Sequence, residues 1–394
     1  MKPMPLDAQL EALLGEPMSA VVQREQDAFE ELTAPHGERL VLFGAGGLGR
    51  KTMAGLRRVG VEPLAFTDND AALWGTTING VPVISPRDAA QKYGRQAAFV
   101  ITIWRGESSD VMAERRQQLL DLGCATVVTF APLFWKHADV FLPHYAFDLP
   151  HRAAAQVDAI RGAFSLWADD ASRREFIAQL RWRMLADFAA LPSPVGHEIY
   201  FPDDLVDVQP DEVFIDCGAY DGDTIRSLLR RGAFSDGQIV AFEPDAANFR
   251  QLQRYVAALP VQLCERISLH QAAVGDRRCK VEFDATGTEA SSVGSGGAVV
   301  DCVALDEALS DCRPTYIKMD IEGSELEAVI GAGGIIKASQ PVLAICVYHQ
   351  QDHLWRIPAA LADLTDEYQY YLRPHLLEVW DLVCYAVPER RLKS

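Results

Sequence analysis

Apolar residues follow two rhythms along this chain. Some stretches are short, nearly continuous apolar runs that stop at Gly, Asp or Glu; between them apolar residues return every third or fourth position. The first pattern reads as strands buried on both faces, the second as helices with one buried stripe. At the N-terminus the helical spacing covers Leu6–Leu14 and Val21–Leu32, with Gly15, Pro17 and Ser19 between them. Strands are then predicted at Arg39–Phe43, Pro63–Thr67, Val81–Ile84, Ala98–Ile103 and Thr126–Phe130, with helices such as Arg50–Arg58 between. Residues 131–150, rich in Pro, His and aromatics, break the rhythm, and Arg152–Leu191 is helical.

A second alternation follows. Strands are predicted at Val213–Cys217, Gln238–Glu243, Ile267–Val274, Thr315–Asp320 and Val342–Val347. The intervening helices are Thr224–Arg231, Ala246–Leu259, Ser324–Ile330 and Leu354–Leu364, and Lys280–Asp284 with Val299–Ala304 reads as an inserted hairpin. Tyr368–Leu372 and Val379–Val387 are too close for a helical crossover, so one of them runs antiparallel. The fold class expected is α/β, with two doubly wound Rossmann-like domains and a terminal antiparallel strand in the second. The expected division is 1–34 (helices), 35–135 (first domain), 136–195 (helical linker) and 196–394 (second domain).

A chain of 394 residues is too long for one ordinary core, which agrees with two domains. Its net charge of −18 repels phosphate backbones. Arg173, Arg174, Arg181 and Arg183 cluster, but Asp169, Asp170, Glu175 and Asp187 interleave with them. The expectation is no nucleic-acid partner, but a small-molecule or carbohydrate substrate. No apolar run is long enough to span a bilayer and the N-terminus lacks a secretory pattern, so a cytoplasmic protein is expected. The eight cysteines form no CxxC pair and read as reduced, buried thiols.

The chemistry gathers at strand ends. Val213-Phe-Ile-Asp-Cys-Gly-Ala-Tyr-Asp-Gly-Asp-Thr224 is a strand entering a glycine turn and then a helix. Gly218 and Gly222 let the backbone approach a ligand, and the amides opening the helix, with Thr224, suit a carboxylate. Asp216 suits an ammonium group or the support of the loop. Glu243, ending the next strand, suits ribose hydroxyls, with Pro244 as an apolar wall. Ala219, Tyr220 and Asp221 line the turn, and Ala273 lies where an adenine ring would sit. Together they describe an adenosine-cofactor crevice, with S-adenosylmethionine the cofactor expected. Alone, Glu243 also reads as a strand-ending residue beside a helix N-terminus.

Lys318, Asp320 and Glu322 alternate at the end of the fourth strand, and His349 ends the fifth. Alternation sends the three charges to one face, beside the methyl donor and acceptor. Asp320 is the leading catalytic candidate. Glu322 or Lys318 would orient or activate the acceptor, and a neutral His349 would act as base. Asp352, His353 and Trp355 are candidates for the same mouth. A divalent ion held by Asp320, Glu322 and His349 is the alternative, although no tight spacing such as His-x-x-x-His supports it. A structural Lys–carboxylate cluster is the bland reading.

The first glycine loop, Gly44-Ala-Gly-Gly-Leu-Gly49, satisfies G-x-G-x-x-G, and Asp68 ends the next strand. Gly44, Gly46, Gly47, Gly49 and Asp68 therefore suit a nucleotide or NAD(P), or else a loop used only for packing or dimerisation.

Residues 200–388 resemble the FkbM-type S-adenosylmethionine-dependent methyltransferases. The resemblance rests on Phe214–Thr224, Ala241-Phe-Glu-Pro244, Ala272-Ala-Val-Gly-Asp276 and Tyr316-Ile-Lys-Met-Asp-Ile-Glu-Gly-Ser-Glu325. It implies O-methyl transfer to a natural-product or sugar hydroxyl. Val41–Arg50, Phe66-Thr-Asp-Asn-Asp70, Trp74-Gly75 and Asn79-Gly-Val-Pro-Val83 resemble the N-terminal domain of bacterial sugar acyltransferases, which implies nucleotide-sugar binding. The competing readings are an NAD(P)-dependent oxidoreductase and a non-catalytic nucleotide-binding or assembly module; a homodimer is among the expectations for the protein under any reading. The second domain lacks G-x-G-x-x-G, and no Tyr-x-x-x-Lys pair accompanies the first loop; both favour methyl transfer.

Overall fold

The structure, a computed structural model, describes residues 4–106, 111–232, 234–284, 292–293 and 297–393. Two compact units divide the chain. The first holds Met1–Val157, Ile177–Ser193 and Leu376–Trp380; the second holds Asp158–Phe176, Pro194–His375 and Asp381–Ser394. The division falls differently from the sequence reading. The N-terminal helices count with the first unit, and residues 136–195 are shared between both, the boundary falling inside the helix Asp170–Leu185.

The first unit contains strands β1 (Leu40–Phe43), β2 (Ala65–Thr67), β3 (Thr77–Ile78), β4 (Val81–Ile84), β5 (Ala98–Ile101) and β6 (Val127–Thr129). They form one sheet in the order β3-β4-β2-β1-β5-β6, parallel except for β3. All four residues of β1 and of β5 are buried, as continuous apolar runs in a doubly covered sheet require. The helix Met18–Thr33 starts earlier than expected, placing Ser19 inside it; Pro17 stands at its N-cap, where a fixed φ and a missing N–H cost nothing. Phe29 from this helix joins the sheet core with Met53, Leu56, Phe130 and Trp182.

The second unit contains β7 (Val213–Cys217), β8 (Gln238–Phe242), β9 (Ile267–His270), β10 (Ala273–Val274), β11 (Cys279–Asp284), β12 (Ser292–Val293) and β13 (Ala298–Val303). It continues with β14 (Tyr316–Met319), β15 (Val342–Cys346), β16 (Tyr368–Pro374) and β17 (Leu382–Pro388). The main sheet has the order β16-β17-β15-β14-β7-β8-β9. Strands β15, β14, β7, β8 and β9 are parallel, and β17 runs antiparallel to both neighbours. Strand order reverses at β7, which has β8 on one side and β14 on the other. A ligand crevice is expected beyond the carboxyl ends of these strands.

Two strand expectations are corrected. The segment 267–274 is not one strand: Ala272 N bonds back to His270 O at 3.1 Å, and the chain turns out of the main sheet. β10 then joins a four-stranded sheet, β10-β13-β11-β12, which contains the expected antiparallel pairing of β11 with β13. The last strand begins at Leu382 rather than Val379, because Glu378, Val379 and Asp381 have φ of 56°, 76° and 49°. Such φ values are incompatible with extended backbone. All eight cysteines are free thiols; five are buried as expected, whereas Cys264, Cys279 and Cys312 are half-buried. Among the described residues, no helix is long and apolar enough to cross a membrane.

Candidate active site

The second unit builds its crevice on the glycine turn after β7. β7 and β14 pair in parallel with Asp216 opposite Lys318, so the turn lies against the end of β14. Gly218 has φ +81°, and a Cβ there would sit 1.9 Å from the Asp320 carbonyl oxygen. No side chain fits. Gly218→Val is expected to destabilise the protein by about 3 kcal/mol and to abolish ligand binding at the turn. A urea midpoint within error of the parent would refute this.

Tyr220 follows in the left-handed region, with φ +47°. Its amide donates to Glu243 Oε2 at 2.9 Å, while Glu243 Oε1 accepts from Asp245 N at 2.8 Å. Glu243 thus ties the turn to the end of β8, and burial pushes its pKa up to about 7. Pro244 follows, and Asp245 caps the helix Ala246–Ala257 through the amides of Ala247 and Asn248. Ala219 is buried, and Asp221 pairs with Arg226. Gly222, at φ +90°, precedes the helix Asp223–Arg230 and packs under Tyr255 and Leu252. Ala273 is buried in β10 beside Cys302 of β13. His270, at the end of β9, stacks on Phe242 with ring centroids 4.9 Å apart.

Asp216 and Lys318 form a fully buried ion pair at 3.2 Å. Burial raises Asp216 to about 6. Burial works against the Lys318 charge, but Asp216, Asp320 and Asp223 outweigh it and hold the ammonium above its ordinary range. The same ammonium donates to Gly218 O at 2.6 Å and lies 5.1 Å from the Tyr200 ring centroid. Lys318 therefore positions the turn rather than the acceptor. Asp216 Oδ2 and the Thr224 hydroxyl are buried without a hydrogen-bond partner. Unsatisfied groups of this kind are costly, and a bound polar ligand would satisfy them. The turn thus fits the ammonium and carboxylate of an amino-acid-bearing cofactor.

The second half of the crevice departs from simple alternation. β14 ends at Met319, and Glu322 and Gly323 follow with φ of 55° and 104°. Asp320 and Glu322 are therefore placed by a turn, not by strand geometry. Glu325, fully buried, holds that turn: Oε1 accepts from Ile321 N at 2.9 Å, and Oε2 accepts from Gly323 N at 3.1 Å. Glu325 also contacts His349 Nδ1 at 2.8 Å and His353 Nδ1 at 3.2 Å. Burial alone would raise the Glu325 pKa, but His349 and His353 hold it well below the carboxylate range.

His349 lies where expected, at the end of β15 beside β14. Its Nε2 is 3.5 Å from Asp320 Oδ1 and 3.7 Å from Glu322 Oε1. Burial disfavours its charge, but Glu325, Glu322 and Asp320 prevail and raise its pKa to about 10. A proton held this firmly does not suit the neutral base expected from sequence. Asp320 is the more accessible group, its side chain 23% exposed. Its Oδ2 accepts from Tyr200 Oη at 2.6 Å, and Tyr200 itself sits at φ +66°. Trp355 is fully buried and His353 nearly so, and Asp352 pairs with Arg356 at 3.0 Å; the first two do not line an open mouth.

Sequence reasoning thus brought together Asp216, Gly218, Thr224, Glu243, Lys318, Asp320, Glu322 and His349. It missed Tyr200 and Glu325 as site residues. Glu325 stood inside the Tyr316–Glu325 signature. Tyr200 had no signal, because it lies far from the strands in sequence.

The glycine loop of the first unit is also shaped by close backbone contacts. Gly44 has φ +117°, and a Cβ on Gly49 would lie 1.9 Å from Gly44 O. Gly46 and Gly47 have open space where a Cβ would be. Asp68 Oδ2 accepts from Ala45 N at 2.7 Å and Oδ1 from Asp70 N at 2.9 Å, so this carboxylate already supports the loop.

The seven-stranded sheet with its penultimate antiparallel strand, and the crevice at the ends of β7, β8 and β14, define a class I methyltransferase fold. Residues 216–376 match the family model of the methyltransferase FkbM domain. The whole chain is similar to the crystal structure of a methyltransferase FkbM from Methylobacillus flagellatus KT. Identity is 25%, covering 97% of this chain and 98% of that one, with a TM-score of 0.77. A likeness to a putative rRNA-methylase from Clostridium thermocellum is weaker. It has 10% identity over 46% of this chain and 90% of that one, with a TM-score of 0.31. No curated protein sequence matches the chain.

Proposed function

We propose that the chain is an S-adenosylmethionine-dependent O-methyltransferase acting on a hydroxyl of a small molecule or carbohydrate. The observation that carries this reading is the pair of unpartnered buried groups, Asp216 Oδ2 and Thr224 Oγ1, at a glycine turn adjoining Asp320. Asp216, Thr224 and the amides of the turn would hold the amino-acid end of the cofactor, and Glu243 the ribose. Bound there, the sulfonium supplies an electrophilic methyl group. An alcohol is a poor nucleophile until its proton leaves. Asp320, a half-buried carboxylate at the end of the turn, accepts the hydrogen bond of the acceptor hydroxyl and takes its proton. Tyr200 fixes Oδ2, and Oδ1 lies 3.5 Å from His349 Nε2, so both oxygens of the carboxylate are held in place. The first unit, with open space at Gly46 and Gly47, is proposed to bind a nucleotide or nucleotide sugar.

Thermal shift with S-adenosylmethionine, S-adenosylhomocysteine, NAD(P) and nucleotide sugars tests this. At 100-fold excess over Kd, either adenosyl ligand is expected to stabilise the protein by about 2.7 kcal/mol. Glu243→Ala is expected to lose that response. A response to NAD(P) alone would overturn the reading in favour of an oxidoreductase.

A further inference from the structure

Asp320, Glu325 and His349 each offer a ligand atom, and these lie within 4.8 Å of one another. Within this group the roles differ. Glu325 already bonds the amides of Ile321 and Gly323 and His349 Nδ1, and it lies 3.2 Å from His353 Nδ1. His349 Nε2 is different: it lies on a side chain 2% exposed, has no hydrogen-bond partner, and points between Asp320 Oδ1 and Glu322 Oε1. Asp320 Oδ1 is likewise buried and without a hydrogen bond. The two N···O separations, 3.5 and 3.7 Å, are too long for good hydrogen bonds. They are close to the roughly 3.0–3.4 Å that separates neighbouring ligands bound to one ion at about 2.1 Å.

We propose that His349 Nε2, Asp320 Oδ1 and Glu322 Oε1 form a divalent-cation site, with Glu325 orienting the imidazole through Nδ1. A carboxylate on the far nitrogen of a ligating histidine fixes its ring and tautomer. One imidazole and two carboxylates suit Mn²⁺, Co²⁺ or Zn²⁺ better than an all-oxygen cage for Ca²⁺ would. The ion and a proton compete for the same nitrogen. The role of the ion in turnover rests on the methyltransferase reading: it would coordinate the acceptor hydroxyl and lower its pKa, which eases transfer of the hydroxyl proton to the Asp320 carboxylate.

The test uses the full-length protein, stripped with a chelator and dialysed. Mn²⁺ is titrated and the free ion followed by electron paramagnetic resonance; Co²⁺ is followed by its visible spectrum. One equivalent is expected to bind. His349→Gln and Asp320→Asn are each expected to weaken binding at least 100-fold, and Glu325→Gln by about 10- to 100-fold. Circular dichroism and the thermal response to S-adenosylhomocysteine report whether each variant is folded. No binding of Mn²⁺, Co²⁺ or Zn²⁺ by the parent protein overturns the site, and so does equal binding by folded His349→Gln and Asp320→Asn. The methyltransferase reading then survives if the S-adenosylhomocysteine response remains. Binding that depends on these residues, without that response, supports the cation site and sinks the methyltransferase reading instead.

Discussion

Glu325→Ala is expected to destabilise the second unit by about 3–5 kcal/mol, the cost of leaving buried charge without its partner. Glu325 is fully buried, and its carboxylate bonds His349 and lies 3.2 Å from His353 Nδ1. It also closes the turn carrying Asp320 and Glu322 through the amides of Ile321 and Gly323. Truncation leaves His349 charged and unpaired on that side and frees the turn at once. Urea denaturation followed by tryptophan fluorescence measures the loss. Glu325→Gln, which keeps the shape and one acceptor, should lose less. Equal stability of the alanine variant and the parent would show that the cluster contributes nothing to the fold.

Asp320→Asn is expected to lower kcat by about 100- to 10,000-fold, the range typical of losing a general base. S-adenosylhomocysteine binding should stay within a few-fold of the parent, because the turn holding the cofactor is fixed by Gly218, Lys318 and Glu243 instead. Separating kcat from ligand affinity is the decisive readout. Unchanged turnover with a methyl-acceptor substrate would remove Asp320 from the chemistry.

Much of the cofactor half was legible in sequence because its constraints are local. A strand, a turn with two glycines and a helix are adjacent in the chain, and each glycine is required by backbone geometry at its own position. Gly218 and Gly222 both have positive φ, as the turn demanded. Helix and strand positions were legible because their burial follows periods of 3.6 and 2. Strand ends were less so. The chain leaves the sheet at Ala272, and the positive φ values at Glu378 and Val379 delay β17. Both are single-residue backbone decisions that apolar patterning does not record.

The acceptor half was legible only in part. The charges of Lys318, Asp320, Glu322 and His349 were visible, but not their division of labour. Alternation grouped the first three on one face. In the fold, Lys318 turns inward to Asp216, while Asp320 and Glu322 belong to a turn held by Glu325.

The sequence by itself determined the α/β class, the glycine turn from Asp216 to Thr224 and the acidic end of β8. Those depend on neighbours along the chain. Tertiary structure alone decided which charges face each other. Tyr200 reaches Asp320 across 120 residues, and Glu325 meets His349 across 24. Burial opposes the His349 charge, but its carboxylate neighbours raise it to about 10, while burial raises Asp216 to about 6. Electrostatics between groups distant in sequence depend on spacing and solvent exclusion, and both exist only once the sheet has formed.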